Sequence, residues 1–283
     1  MQDSAAVEEH RIEARLHKMV RRWSEVSGYH LNPEQMVVDG IVRALERHVL
    51  LHGYPYCPCR DLSGDPQRDR VNICPCQFHH EEIRRDGHCK CVLFVGDNYD
   101  PAKAYAPEEG ATAAERVRSL KSREVTLYAT DWCYHSRRVQ AWLEEQDIPF
   151  TKVNIDADPD AARQVEAWND GNRSVPTLIV RLVLSEPSIA ELNSLLVPMA
   201  RVMRCDAHVT RWCAHSRRTL AWLARRNIAQ ARAVDIEADS EAAERVRRWN
   251  GGYLSVPTLD IVLQLTEPRG NDLARALGLG AKG

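Results

Sequence analysis

The sequence predicts an α/β multidomain protein in which a mainly helical N-terminal part precedes two similar α/β repeats. Three observations carry this prediction. Apolar residues recur at helical spacing in the first fifty residues, six cysteines lie between residues 57 and 91, and the chain repeats itself from about residue 122. The length of 283 residues suits two or three domains of ~100–150 residues. The predicted segments are 1–98, a linker at 99–122, a first repeat at 123–200 and a second at 201–283.

The composition argues against several classes of protein. The net charge is −2, so there is no basic surplus of the kind that favours nucleic acid or an anionic membrane. No apolar run reaches the ~18 residues that a bilayer span needs, and the first thirty residues hold no apolar signal core. We therefore expect a cytoplasmic protein without nucleic-acid or membrane partners.

Two amphipathic helices are predicted before the cysteines. Asn32 is expected to cap the second helix and Pro33 to occupy its first turn, because both residue types favour helix starts. Gly53 is expected to end this helix, with loops and short turns after it. The predicted apolar stripe of the second helix comprises Met36, Val37, Ile41, Leu45 and Val49.

The six clustered cysteines form three pairs, each with one intervening residue. These are Cys57-Pro-Cys59, Cys74-Pro-Cys76 and Cys89-Lys-Cys91. In a chain without an export signal, such clustering indicates metal or redox chemistry rather than a disulfide framework. An iron–sulfur cubane and a structural zinc site each take four thiolates, which leaves two cysteines for one disulfide. The spacing alone does not say which four would bind, and a zinc site with two buried thiols also satisfies the count.

The order of the pairs, with Gly53-Tyr-Pro before them and Val-Leu-Phe after them, resembles the catalytic subunit of ferredoxin:thioredoxin reductase over about residues 5–98. The resemblance implies a [4Fe–4S] cluster and ferredoxin as electron donor. It implies that Cys59 and Cys91 form a redox disulfide, with Cys59 the exposed nucleophile and Cys91 held against the cluster. The cluster ligands that it implies are Cys57, Cys74, Cys76 and Cys89.

The chain departs from that family in two ways. One loop between pairs is shorter and the other longer than usual, and Lys90 stands where the family usually has a histidine that helps to deliver protons. His79, His80 and His88 are alternative proton donors, but we expect them to be surface histidines. These two differences do not affect the implied cluster ligands, but they leave the residue that delivers protons undecided.

The two C-terminal repeats match in sequence. Trp132, Trp142 and Trp168 recur 80 or 81 residues later, as does the segment Ser-Val-Pro-Thr-Leu. Each repeat predicts a strand, a helix led by cysteine, a second strand, a second helix and then Val-Pro with a pair of strands. Counting from Glu124 to Pro176, the first repeat carries a charge near −5, and from Arg204 to Pro257 the second carries one near +4. Opposite charges suit docking of the repeats or different partners, and neutral drift of solvated faces explains them equally well.

Trp-Cys-x-x-Ser followed by Ser-Val-Pro resembles the glutaredoxin family, closest to mycoredoxin-like forms, and therefore implies the thioredoxin fold. Cys133 and Cys213 would be reactive thiols, because a helix N-terminus lowers the pKa of a cysteine. Ser136 and Ser216 replace the resolving cysteine, so each repeat would be monothiol. In this family the Val-Pro peptide is cis, and its backbone binds substrate as an added strand. The implied substrate-binding residues are Val175, Pro176, Val256 and Pro257.

Other residues of the repeats suggest lesser roles. Arg137, Arg138 and their counterparts Arg217 and Arg218 add positive charge near the thiols, whereas His135 and His215 are expected to be exposed. Cys205 is expected to be a packed strand residue. The second repeat, whose first strand carries the polar Asp206 and His208, is also a candidate for a docking module without redox activity.

The predicted protein is an iron–sulfur disulfide oxidoreductase. Electrons would pass from ferredoxin to a [4Fe–4S] cluster, to the Cys59–Cys91 disulfide, to Cys133 or Cys213, and finally to a disulfide of a thioredoxin-type protein, a glutaredoxin-type protein or a low-molecular-weight thiol. The linker would raise the effective concentration of Cys59 at the repeats. The alternative is an iron–sulfur carrier or scaffold in which the repeats bind clusters or partners.

Overall fold

The computed structural model describes residues 2–60, 62–105 and 117–279. The chain divides into two compact units. The first contains Met1–Ala106 together with the short segment Arg211–Arg218, and the second contains Pro107–Thr210 and Thr219–Gly283. The middle of the predicted linker, residues 106–116, lies outside the described residues.

The first compact unit is mainly helical, as predicted. Its two long helices pack against each other through an apolar core that includes Leu16, Val20, Ile41 and Leu45. A small antiparallel ladder joins the residues after the first helix to those after the last cysteine pair. In chain order its elements are α1 (Gln2–Ser27), β1 (His30–Leu31), α2 (Gln35–His52), α3 (Pro66–Asp69), a 3-10 turn (Arg70–Asn72), α4 (His79–Asp86), β2 (Phe94–Val95) and α5 (Pro101–Ala104).

The predicted cap of α2 is wrong. The helix begins at Gln35 after Glu34, and no side chain caps it. Asn32 is buried, and its amide nitrogen donates to the Val92 carbonyl at 2.9 Å. Its side-chain oxygen accepts the Glu34 N–H at 2.9 Å, so Asn32 stabilises the turn before the helix and is anchored to the Val92 carbonyl, while Glu34 takes the N-cap position. Gly53 ends α2 in a left-handed conformation, as predicted.

The second compact unit is built on one six-stranded sheet that contains strands from both repeats, in the order β4-β3-β5-β8-β6-β7. The first repeat contributes β3 (Leu120–Ala129), α6 (Tyr134–Glu145), β4 (Thr151–Asn154), α7 (Pro159–Trp168), β5 (Thr177–Ser185) and α8 (Ile189–Leu195). The second contributes β6 (Ala200–Val209), α9 (Ala214–Arg225), β7 (Ala231–Asp235), α10 (Ser240–Trp249), β8 (Thr258–Thr266) and α11 (Gly270–Ala276). The first residues of α9 belong to the first compact unit.

The strand pair predicted after each Val-Pro is wrong, because a single nine-residue strand follows. The edge that a second strand would cover is instead covered by the other repeat, since β5 pairs with β8 antiparallel from Thr177↔Thr266 to Ser185↔Thr258. The hydrogen bonding between the two repeats continues beyond the ends of β5 and β8. The Glu267 N–H donates to the Pro176 carbonyl at 2.8 Å, and the Glu186 N–H donates to the Pro257 carbonyl at 2.7 Å.

This pairing sets the direction of the two strands that precede the reactive cysteines. Because β3, β5, β8 and β6 are antiparallel in succession, β3 and β6 run in opposite directions. Their last residues, Ala129 and Val209, therefore lie at opposite ends of the sheet. Cys133 and Cys213 each follow their strand by four residues, so the segments that lead to them leave the sheet at opposite ends.

A buried carboxylate joins the central strands of the two repeats. Asp260 on β8 accepts hydrogen bonds from Arg181 on β5 at 2.9 and 3.1 Å and from Arg204 on β6 at 2.9 Å. The aspartate side chain is 7% exposed, whereas the two arginines are 35% and 49% exposed. The carboxylate is therefore the desolvated member of the group and depends on both partners.

We expect Asp260→Asn to lower the free energy of unfolding by about 2 kcal/mol, because the neutral amide loses charge-assisted bonds to both arginines. Urea titration would measure the change. Glu124→Gln is the matched control, since Glu124 also faces Arg181 at 3.4 Å but is 68% exposed. A surface pair is worth ~0–1 kcal/mol. Equal effects of the two substitutions would contradict a central role for Asp260.

No helix among the described residues is long and apolar enough to span a bilayer.

Candidate functional site

The six N-terminal cysteines come together in the first compact unit, next to the core formed by α1 and α2. They are carried there by the loop after α2, the turn before α4 and the loop that leads to β2. Cys59 is half-buried, and it is the only one of the six that is not buried. The resemblance implied an exposed nucleophile at this position. The five buried thiols are those of Cys57, Cys74, Cys76, Cys89 and Cys91.

Cys91 lies at the centre of the thiol group. Its sulfur is 3.9 Å from the sulfur of Cys57 and 3.7 Å from that of Cys89, and it also interacts with Cys59. The structure thus brings the two residues of the implied redox pair together. It also places Cys91 against two of the four implied cluster ligands.

The thiols perturb one another strongly. Hydrogen bonds from the thiols of Cys59, Cys76 and Cys91 hold the pKa of Cys57 well below its ordinary range. Burial raises the pKa of Cys74 well above its ordinary range. The neighbouring thiols therefore favour the thiolate form of Cys57, whereas burial disfavours it for Cys74.

The donor set suits an iron–sulfur cluster by its chemistry. Thiolates are the usual ligands of such clusters, and four buried cysteines are available while Cys59 and Cys91 remain. The Phe94 N–H donates to the Cys89 sulfur at 3.3 Å, the kind of bond that tunes a ligating sulfur. Among the described residues, no three histidine, cysteine, aspartate or glutamate side chains are already arranged to hold a metal ion. The fit of these residues to an iron–sulfur cluster therefore rests on the type, the number and the burial of the donor side chains.

A charged pair that the sequence did not single out lies beside the thiols. The Arg60 guanidinium contacts the Cys76 sulfur at 3.9 Å and forms a short ion pair with Glu82. The same Glu82 carboxylate accepts the backbone N–H of Lys90 at 2.9 Å. Arg60 directly follows Cys59, and this position next to a cysteine pair is the feature of the sequence that could have identified it as a residue of the site. The pair connects the first and third cysteine pairs through charge-assisted bonds.

The expectation that the nearby histidines are surface residues is wrong for His79. This ring is buried, accepts the Trp23 indole N–H at 3.2 Å, and lies 2.6 Å from the Cys76 carbonyl through Nδ1. Burial lowers the pKa of His79, which favours a neutral ring. His80 is exposed, as expected, and His88 is half-buried. His79 sits at the start of α4, three residues after Cys76, and tertiary packing against Trp23 buries it.

In the first repeat, Cys133 stands directly before α6, in the N-cap position. Its thiol lies 3.7 Å from the Val175 carbonyl. The Val175–Pro176 and Val256–Pro257 peptides are both cis, as predicted. The structure thus brings Cys133 and the Val175 backbone to one site. The flanking Trp132 and Tyr134 are 71% and 61% exposed, whereas Cys133 between them is buried.

The pKa of Cys133 is lowered. Partial burial by itself raises it, but hydrogen bonds from the side chain and backbone of Ser136 and from the backbone of His135 outweigh that effect. The charge of Glu267, which belongs to the second repeat, raises the pKa again. The electrostatics of the Cys133 site are therefore set by both repeats. The contribution expected from Arg137 and Arg138 stays a prediction.

We expect Ser136→Ala to raise the pKa of Cys133 and Glu267→Gln to lower it further. In the unmodified chain, alkylation of Cys133 should rise with pH around a midpoint below ~8.5, the ordinary thiol value. Mass spectrometry of the Cys133 peptide after timed alkylation would give the midpoint. Cys205 is the internal control, since burial raises its pKa to about 12. Shifts in the same direction for both variants would contradict the assignment.

Cys205 is buried in β6, as expected for a packed strand residue. The polar residues of that strand are also accounted for by packing. The buried His208 ring packs edge-on against Trp249 at 5.3 Å, which matches the contact of Tyr128 with Trp168 at 5.1 Å in the first repeat. His208 therefore has a packing role in this strand, and whether the second repeat is redox-active stays a prediction.

The second Trp-Cys-x-x-Ser motif lies in the first compact unit, within the segment Arg211–Arg218, here called the Cys213 segment. Trp212 packs on the same core cluster as Cys59. The charge of Cys213 acts on the Cys59 thiol and contributes to raising its pKa, although hydrogen bonding to Cys57 is the larger cause. Three of the four candidate catalytic thiols, Cys59, Cys91 and Cys213, therefore lie in one compact unit.

Comparisons with known proteins cover both parts of the chain. The family model described as ferredoxin thioredoxin reductase catalytic beta chain matches residues 6–120, and the glutaredoxin model matches residues 125–183. Mycoredoxin 1 of Corynebacterium glutamicum is 43% identical over 54 residues, which are 19% of this chain and 66% of that relative. A Mycobacterium tuberculosis protein named as a glutaredoxin is 35% identical over 78 residues, or 27% of this chain and 93% of the relative.

Proposed function

Because the chain carries a ferredoxin thioredoxin reductase catalytic beta chain domain and belongs to the glutaredoxin family in the part that follows, we propose that it is a ferredoxin-dependent disulfide reductase with its own glutaredoxin modules. The two domains support a thiol–disulfide oxidoreductase. The electron donor, the cluster and the route to the glutaredoxin cysteines belong to the proposal.

One observation carries the proposal. Six cysteines share one site, five of them buried and Cys59 alone half-buried with Cys91 against it. A purely structural zinc site needs four thiolates and has no use for a half-buried thiol in contact with a buried one. A disulfide reductase needs that arrangement, because a nucleophile must reach its target while its partner stays protected.

The six cysteines have different roles in the proposed reaction. A [4Fe–4S] cluster, when bound, supplies single electrons next to the disulfide. In the proposed reaction the Cys59 thiolate attacks one sulfur of a target disulfide, and the other sulfur leaves and takes a proton. The Cys91 thiolate then attacks the Cys59 sulfur, which releases the second target thiol and closes the Cys59–Cys91 disulfide. Ferredoxin returns the two electrons, and solvent returns the two protons. The proposed cluster ligands are Cys57, Cys74, Cys76 and Cys89.

In the glutaredoxin modules, Cys133 and Cys213 would each attack a mixed disulfide, and the resulting disulfide on either cysteine would be reduced by Cys59. The lowered pKa of Cys133 and its contact with the Val175 carbonyl support this role for the first module. Extended substrate would pair with the backbone of Val175 or Val256, next to Pro176 and Pro257. Ser136 and Ser216 leave each module without a resolving thiol of its own.

The test is iron, sulfide and zinc per chain on anaerobically purified protein, with a visible spectrum, followed by ferredoxin-driven turnover of a disulfide. We expect about four irons, about four sulfides and a broad brown absorption. Zinc without sulfide would overturn the cluster proposal. About two further irons, with no disulfide turnover, would favour an iron–sulfur carrier instead.

A further inference from the structure

The two Trp-Cys-x-x-Ser motifs are nearly the same in sequence but differ in their surroundings. In the first, the Trp132 indole N–H donates to Asp156 of its own repeat, and the ring is 71% exposed. In the second, Trp212 packs on the core cluster of the first compact unit. Tyr134 is 61% exposed, whereas its counterpart Ala214 is 4% exposed. The residues that flank Cys213 are therefore covered where those that flank Cys133 are exposed, while the two cysteines are both buried.

Gly40 on α2 is what lets Trp212 approach. A Cβ atom at this position would lie 2.1 Å from Cγ of the Trp212 ring and 2.4 Å from two further ring atoms. Real Cβ atoms do not come that close, so any side chain at Gly40 would displace the indole. Glycine in a helix interior costs about 0.5–1 kcal/mol relative to alanine, a cost that close packing of the ring explains.

Hydrogen bonds from two arginines, one of them to a carboxylate, also fix the Cys213 segment in place. The Arg217 guanidinium donates to both carboxylate oxygens of Glu34 at 2.8 Å and lies 4.5 Å from the centre of the Tyr105 ring. This bond lowers the pKa of Glu34. Arg218 donates to the Ala104 carbonyl at 3.0 Å. A bidentate arginine–carboxylate pair is strong and directional, so it sets the orientation of the segment.

The residues on either side of Cys213 contact the surroundings of the Cys59–Cys91 pair. Trp212 and Cys59 pack on one core cluster. Ala214 packs with Val92, which directly follows Cys91. Ala214 is therefore anchored beside the proposed redox pair, and Trp212 is anchored on the core cluster that Cys59 also contacts.

From this geometry we propose that Cys213 is the acceptor that Cys59 serves within the chain, while the Cys133 site is left for external disulfides. This inference rests on the proposed reductase activity of Cys59 and Cys91. Because the flanks of Cys213 are covered, its substrate class is a mixed disulfide with a low-molecular-weight thiol rather than with a large protein.

The reaction balances as two exchanges. Cys213 carries a small thiol as a disulfide, and the Cys59 thiolate attacks the Cys213 sulfur. The bond from Cys213 to the small thiol breaks, the small thiol leaves and takes a proton, and a Cys59–Cys213 disulfide forms. The Cys91 thiolate then attacks Cys59, which releases Cys213 as a thiolate and forms the Cys59–Cys91 disulfide. One disulfide is reduced and one dithiol is oxidised.

The experiment uses the full chain with Cys91→Ser, which removes the second exchange and traps the first. The iron content of the variant is checked, and the protein is exposed anaerobically to glutathione disulfide. Non-reducing peptide mapping by mass spectrometry should find Cys59 linked to Cys213, at a rate independent of protein concentration. Adding Cys133→Ser should leave the link in place, and adding Cys213→Ser should remove it.

A matched pair of variants tests the docking contacts. Arg217→Ala should slow formation of the link about tenfold or more, because the effective concentration of Cys213 at Cys59 falls. Arg137→Ala removes the same charge from the same motif position of the first repeat and should change nothing. Gly40→Leu is a second variant that displaces Trp212 without touching charge.

Linkage of Cys59 to Cys133, linkage between chains, or glutathione retained on Cys59 with no link to Cys213 would each overturn the inference. None of these results would affect the proposed function, which stands on ferredoxin-driven turnover. Conversely, a Cys59–Cys213 link in a chain that shows no such turnover would contradict the proposed function and leave the pairing established.

Discussion

We expect Cys59→Ser to leave bound iron and sulfide unchanged and to lower disulfide turnover by at least about 10³-fold, because it removes the attacking sulfur. Cys59 is the half-buried thiol of the group and is not among the four proposed ligands. Replacing it therefore takes away the nucleophile and keeps the donor set. Iron and sulfide analysis together with ferredoxin-driven turnover on the same preparation would measure both effects.

Two other cysteines provide the controls. Cys74→Ser should lose most of the iron, since Cys74 is a proposed ligand buried in the same cluster. Cys205→Ser should change neither iron nor turnover, because that thiol is packed inside β6. Loss of iron in Cys59→Ser would show that the assignment of ligands within the first pair is reversed.

The largest effect on substrate choice is expected for the Cys133→Ser, Cys213→Ser double variant. Reduction of mixed disulfides between proteins and small thiols should fall by about two orders of magnitude, because both monothiol entry points are gone. Reduction of a small aromatic disulfide at Cys59 should persist. Parallel assays of the two substrates with one preparation would separate the relay from the reductase chemistry.

The two single variants distinguish the substrates of the two repeats. Because the residues that flank Cys133 are exposed, Cys133→Ser should impair reduction of protein mixed disulfides more than Cys213→Ser does. Cys213→Ser should have the larger effect with free low-molecular-weight mixed disulfides. If the double variant kept full activity on every disulfide offered, the relay through the repeats would be ruled out.

Much of each repeat could be predicted locally. Cysteine before an amphipathic run predicted Cys133 at the start of a helix, and the resemblance to the glutaredoxin family implied the two cis Val-Pro peptides; the structure has both. A helix start depends on residues close together in sequence, whose backbone preferences and capping act over one or two turns. The element order of the second repeat follows the first for the same reason.

Other predictions failed where distant residues compete for a group. The predicted strand pair is replaced by β5–β8 pairing, because an exposed sheet edge is satisfied by any complementary edge within reach. Asn32 is anchored to the Val92 carbonyl one turn before the helix instead of capping it, and His79 is buried by Trp23. In each case a contact between residues far apart in the chain decides the position of the group.

The sequence by itself determined the chemistry available to this protein. It supplied three paired cysteines in one stretch, two lone thiols each at a helix start, and the absence of a resolving thiol in either repeat. These are properties of residue type and spacing, and they persist in any arrangement of the chain.

Only the tertiary structure decided which thiols meet. Two nearly identical motifs differ in environment because Gly40 admits the Trp212 ring and Glu34 pairs with Arg217, contacts between segments more than 170 residues apart in the chain. No local propensity encodes such a pairing. It depends on shape and charge complementarity between surfaces that exist only after both segments have folded.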